Sequence, residues 1–190
     1  MGDYIGAIRG AAIAEVLRDE GGYSDHPLDN GGKTKWGITE ATARANGFDF
    51  DKLTIGNAIT VYENKYWHSA NLDAVATYFP KLARTVFNAG VNVGPPTAGM
   101  WLQRALNALN YNNRYGPELV VDGKIGKTTI AVMQKYREHR GRDATGERVL
   151  VMSITGCWVN HYTSLAERRP TQRAFSFGWI RRVISVWNNW

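Results

Sequence analysis

Apolar residues recur along most of this chain at helical steps. Between residues 3 and 20, Ile5, Ile8, Ala12, Ile13, Val16 and Leu17 return at three- and four-residue intervals. That spacing predicts an amphipathic helix with Asp3 as its N-cap and Gly21-Gly22 as its stop. The pattern then shortens. Asp29-Asn30-Gly31-Gly32 is a turn signal and Lys33 to Thr39 alternates, so a small β-hairpin is expected within 23–39. A short helix is expected from Thr39 and Thr42 to Ala45, ended by Asn46-Gly47. Helical stripes follow at 54–68, 80–92, 96–110, 126–138, 145–167 and 177–188. They are broken at Asn112-Asn113 to Pro117, at Asp122-Gly123, in the charged run Arg137 to Arg148, and at Arg168-Arg169-Pro170. Many helices with one small hairpin near the front make a mainly α (α+β) protein.

One acidic residue sits within the first apolar stripe. Glu20 lies three after Leu17, four after Val16 and seven after Ile13, whereas Glu15, Arg18 and Asp19 fall off the stripe. A carboxylate on a buried face, in a last helical turn, is favoured uncharged by desolvation and by the helix dipole. A protonated carboxyl beside a Gly-Gly opening is suited to general acid catalysis. The ordinary alternative is a solvated helix-end residue. Nine residues on, Asp29 stands in a polar turn that would keep it ionised, although Asp is common in turns for local reasons. Two carboxyl groups in contrasting settings, joined by a short link, form the pair that glycoside hydrolysis uses. Thr34, on the returning strand, is placed to hold a water between Asp29 and a sugar. Carboxyl groups roughly 6.5–9.5 Å apart would invert the anomeric centre, and groups near 5 Å would retain it.

Composition narrows the classes. The chain has 190 residues, 44% hydrophobic and 21% charged, which is a globular balance. Its single cysteine, Cys157, excludes a disulfide framework and a Cys-rich zinc site. His26, His68, His139 and His161 are scattered without a His-Glu-x-x-His motif, so no metal or other cofactor is expected. No Gly-x-Ser-x-Gly marks a serine hydrolase. No segment reaches the roughly 18 apolar residues of a membrane span, and no basic-then-apolar leader opens the chain. Residues 1–100 carry 9 Lys/Arg and 11 Asp/Glu, whereas 101–190 carry 14 and 6, so the net charges are −2 and +8. A basic second half fits an anionic partner, or simply a solvated surface. Over 177–190, Trp179, Ile180, Val183, Ile184, Trp187 and Trp190 with Arg181-Arg182 form an amphipathic stretch, read as a final core helix or a weak membrane contact.

The segment Glu20-Gly21-Gly22-Tyr23, followed by Pro27-Leu28-Asp29-Asn30-Gly31-Gly32-Lys33-Thr34-Lys35-Trp36-Gly37-Ile38-Thr39, closely resembles the start of glycoside hydrolase family 108. Those proteins are N-acetylmuramidases of phage endolysins and related lysins, and the Glu of their Glu-Gly-Gly-Tyr motif is the essential acid. Val61-Tyr62-Glu63-Asn64-Lys65-Tyr66-Trp67 resembles the family's Tyr-x-x-x-Tyr-Trp helix. Phe87 to Pro95, Leu102 to Asn107 and Asp122 to Thr128 resemble the predicted peptidoglycan-binding module that follows it. Asn88 departs from an Asp that is as frequent in the family.

The resemblance implies a lysozyme-like fold whose hairpin carries part of the active site. It divides the chain into a catalytic module, 1–92, and a helical peptidoglycan-binding-like module, 93–190, packed as one globule. It implies hydrolysis of the β-1,4 bond after N-acetylmuramic acid, with Glu20 as acid and Asp29 and Thr34 as partners. Tyr23, Trp36, Tyr66 and Trp67 are candidates to stack on sugars, or are core aromatics. Asn88 and Asn92, four apart on one helical face, are candidates to bind N-acetyl groups, or are caps. Peptidoglycan glycan strands are the expected partner of a monomer, with no nucleic acid. Without a leader, access to the wall depends on a holin or another external route. A lytic transglycosylase and a non-catalytic wall binder are the rival readings.

Overall fold

The first apolar stripe folds as α1, Gly2–Glu20, in a computed structural model that describes residues 2–24, 33–141 and 143–188. The helix begins one residue before the expected cap. Asp3 therefore sits in the first turn, where its charge suits the positive end of the helix dipole. The buried residues of α1 are Ala12, Ile13, Glu15 and Val16. Glu15, expected off the stripe, is only 6% exposed.

The chain forms two compact units, Met1–Ser69 and Ala70–Trp190. In the first unit, α1 is followed by three two-residue strands, β1 (Tyr23–Ser24), β2 (Thr34–Lys35) and β3 (Ile38–Thr39). They make an antiparallel sheet in chain order, with Tyr23 opposite Lys35 and Thr34 opposite Thr39. The hairpin turn is Trp36-Gly37, between β2 and β3. The Asp29-Asn30-Gly31-Gly32 turn signal lies outside the described residues. Lys35 anchors the sheet by donating from Nζ to the carbonyls of Phe50 and Asp51, at 2.9 and 2.8 Å.

Thr39 caps α2 (Glu40–Ala45) by accepting from the Thr42 amide, and Asn46-Gly47 ends it as expected. Thr54 and Asn57 form a capping box on α3, Ile55–Tyr62. The stripe at 54–68 does not stay α-helical to its end. Residues Glu63–His68 form a π-helical turn, in which the Ser69 amide reaches back five residues to the Asn64 carbonyl.

The second unit is helical: α4 (Leu72–Tyr78), α5 (Pro80–Val93), α6 (Pro95–Leu109), α7 (Lys127–Arg140), α8 (Ala144–Arg168) and α9 (Arg173–Asn188). Its core holds Leu82, Phe87, Leu102, Leu106, Leu150 and Trp158, none more than 1% exposed. Gly99 and Gly123 let α6 approach the 122–126 loop closely. A Cβ on Gly99 would lie 2.2 Å from the Gly123 carbonyl oxygen, a contact that no side chain tolerates. On α9, Val183 and Val186 are buried and Trp179 stacks on Tyr162 with ring centroids 5.0 Å apart. Phe177 and Ile184 remain exposed. The mainly helical, lysozyme-like class is as the sequence implied.

Candidate active site

Glu20 is the last residue of α1, and the chain turns away immediately because Gly21 takes a φ of +68°. Its side chain is half-buried rather than enclosed, because the helix ends there and Gly21-Gly22 has no side chains to cover it. The β2–β3 turn lies against it. Trp36 and Gly37 have φ values of +49° and +73°, the positive pair that a two-residue hairpin with native twist requires. Glycine meets that requirement freely. Tryptophan does not, and a left-handed conformation at such a residue costs on the order of 1–3 kcal/mol.

Two hydrogen bonds hold Trp36 in place. Its amide donates to the Gly22 carbonyl at 2.8 Å, which ties the turn to the end of α1. Its carbonyl accepts from Tyr62 Oη at 2.9 Å, which ties the turn to the end of α3. Gly37 is the point where these elements converge. A Cβ there would lie 2.6 Å from Tyr62 Oη, 2.9 Å from Glu20 Cγ and 3.1 Å from Glu20 Cδ. Only a bare Cα admits both side chains at once.

The other proposed residues of this unit have different fates. Thr34 is half-buried at the start of β2, opposite Ser24 on one side and Thr39 on the other. Tyr23 is 58% exposed on β1. Tyr66 is half-buried in the π-helical turn, its ring 5.5 Å from that of Tyr62 and under the Lys65 ammonium. Trp67 corrects the expectation of sugar stacking. At 0% exposure it is a core side chain and offers no face to a ligand. Asp29 lies outside the described residues.

Beside Trp36 runs an apolar groove of about 510 Å³, lined by Ile13, Ala14, Leu17, Ile55 and Ile59 and flanked by Arg18 and Glu63. Arg9 Nε meets Glu63 Oε1 at 3.0 Å and fastens α1 to the π-helical turn. Sequence reasoning gave no role to Tyr62, which borders the Trp36-Gly37 turn. Its signals were the helical stripe and the Tyr-x-x-x-Tyr-Trp pattern that it shares with Tyr66 and Trp67.

Asn88 and Asn92 belong to the second unit, on α5. Asn88 is 1% exposed; its Nδ2 donates to the Arg84 carbonyl at 3.2 Å, while its Oδ1 is buried with no hydrogen-bond partner among the described residues. Asn92 donates to the Asn88 carbonyl and accepts from Arg182 Nη1 at 2.7 Å. In the same unit two side-chain amides of α6 close loops. Gln103 donates to Asp122 Oδ1 and the Lys124 carbonyl and accepts from the Gly123 amide. Asn107 exchanges two bonds with the Leu119 backbone, each 2.8 Å. The Gln103 amide, followed by the Lys124 N–H, holds the Asp122 carboxyl below its usual range. His161, half-buried on α8, packs edge-on to Trp101, and burial lowers its basicity.

Residues 13–94 match the family model described as glycosyl hydrolase 108, and residues 97–184 match that of a predicted peptidoglycan domain. The fold is similar to the solved structure of Brucella abortus SagA. The TM-score is 0.72 and the identity 24%, over 95% of this chain and 92% of that one. At that identity the likeness speaks for the fold. No curated protein matches the sequence.

Proposed function

We propose that this peptidoglycan-degrading glycosidase, a glycosyl hydrolase 108 domain followed by a predicted peptidoglycan domain, cuts the β-1,4 bond after N-acetylmuramic acid with Glu20 as general acid. The observation that carries this reading is the placement of Glu20. Its side chain stands at the open end of α1, against the bare Cα of Gly37. A carboxyl fixed there has one side held by protein and another available to a sugar.

Glu20 protonates the leaving glycosidic oxygen as the C–O bond breaks. Asp29, helped by Thr34, activates water or stabilises the oxocarbenium-like transition state. Tyr23, Trp36 and Tyr66 stack on sugar faces; Asn88, 1% exposed, drops out of the binding set for the same reason as Trp67. The basic second half of the chain favours the polyanionic wall. The enzyme acts as a monomeric lysin of the endolysin type.

The test is mass analysis of fragments released from purified sacculi by the wild type and by Glu20→Gln. Reducing N-acetylmuramic acid ends, absent with the variant, are expected. Ends carrying 1,6-anhydro-muramic acid would make the enzyme a transglycosylase. No release by the wild type would make it a wall binder, and undiminished release by the variant would remove Glu20 from the mechanism.

A further inference from the structure

We infer that Tyr62 is the positioning residue of the Glu20 acid, acting through the Trp36-Gly37 turn. The inference rests on the reading of Glu20 above and extends it to a residue with no assigned role.

Tyr62 is 1% exposed, so its hydroxyl needs a partner within the protein. It donates to the carbonyl of Trp36, the one bulky residue of the first unit that the described backbone holds at positive φ. A tryptophan in that conformation persists only where its surroundings fix it. The Gly22 carbonyl fixes its amide and the Tyr62 hydroxyl fixes its carbonyl.

The consequence reaches Glu20 by two routes. Gly22 is two residues beyond Glu20, so the turn is tied to the backbone that orients the acid. The turn also presents Gly37, and the one point that a Cβ would occupy there lies within 3.1 Å of both the Glu20 carboxyl carbon and Tyr62 Oη. The hydroxyl thus anchors the turn and borders the acid. Loss of either hydrogen bond frees Trp36 to relax toward negative φ, which moves Gly37 and the surface against which Glu20 rests. The location of Tyr62 supports this. It is the last residue of α3, where the helix widens into the π-helical turn that brings Tyr66 alongside its ring. Such widened turns recur at functional sites.

The experiment compares kcat and KM on soluble murein glycan fragments for the wild type, Tyr62→Phe, Gly37→Ala and Glu20→Gln, each corrected for folded fraction by circular dichroism. Tyr62→Phe keeps the buried ring and removes only the hydroxyl. Its kcat is expected to fall about 10- to 100-fold with KM within about two-fold, the pattern of a transition-state group displaced by a fraction of an ångström. Gly37→Ala is expected to show the same split with a larger loss in kcat, and it carries the test if Tyr62→Phe folds poorly. Three results would overturn the inference. They are a kcat per folded molecule within two-fold of the wild type in both variants, a rise in KM with kcat unchanged, or full activity of Glu20→Gln. The last alone would also remove the underlying assignment.

Discussion

Gln103 in the second unit and Glu20 in the first are both polar side chains on helices, with opposite surroundings. Gln103 is 2% exposed and commits both ends of its amide to residues 122–124. Glu20 is half-buried at a helix end, beside a turn whose tryptophan is held at positive φ. The polar groups of the second unit close loops around a dense helical core. Those of the first hold a strained turn against an acidic side chain. Satisfied buried amides rigidify a fold, whereas strain maintained at an open site belongs with function.

Core truncation in the first unit gives the largest expected effect on stability and sharpens the contrast between its tryptophans. Trp67→Ala is expected to cost about 3–5 kcal/mol in urea unfolding, because the side chain is fully buried. Trp36→Ala is expected to leave stability within about 1 kcal/mol, since Trp36 is only half-buried and the two hydrogen bonds that hold it are made by its backbone and survive the substitution. Equal losses at the two positions would erase the distinction between core and site aromatics.

An intermediate effect is expected in the second unit. Gln103→Ala strips partners from Asp122, Gly123 and Lys124 and should cost about 1–3 kcal/mol in the same assay. Its kcat on short soluble glycans is expected to match the wild type after correction for folded fraction. A catalytic loss beyond that correction would break the division of labour between the units.

The smallest effect is one of pH. Glu147 Oε1 accepts from the amides of Lys81 and Leu82 at the start of α5, at 2.6 and 2.9 Å. Burial nevertheless pushes its carboxyl above the ordinary value of 4.5. The folded state therefore binds more proton than the unfolded one just above that pH. Stability contributed by this group is present below 4.5 and is lost as pH rises through the folded value. Calorimetry of Glu147→Gln should show a flatter dependence of Tm on pH in that window, by less than about 1.4 kcal/mol per pH unit. An unchanged slope would mean that another group carries it.

Much of the fold was legible because its signals are local. Thr39 and Asn46-Gly47 bracket α2, and the stripes of α5 to α8 lie within a residue or two of their expected ends. The misses have physical causes. α4 is only seven residues long, and Asn71, at its N-cap position, makes no side-chain cap bond, so neither period nor cap announced it. The stripe at 54–68 gave no sign of its π-helical end, because apolar spacing hardly distinguishes i+4 from i+5 closure over one turn. The β1–β2 pairing flanks the Asp29-Asn30-Gly31-Gly32 signal as expected within 23–39. The second turn, Trp36-Gly37, carried no signal beyond its glycine, because tryptophan is not a residue that favours positive φ.

What the sequence determined by itself is most of the longer helices and the position of Glu20 at the end of one of them, since periodicity, caps and breakers act over a few residues. Tertiary structure alone decided which aromatics are core and which border the site. Tyr62 meets Trp36 across 26 positions of chain, and Glu20, Gly37 and Tyr62 share one point in space. Such meetings depend on how separate elements pack, and no local spacing encodes them.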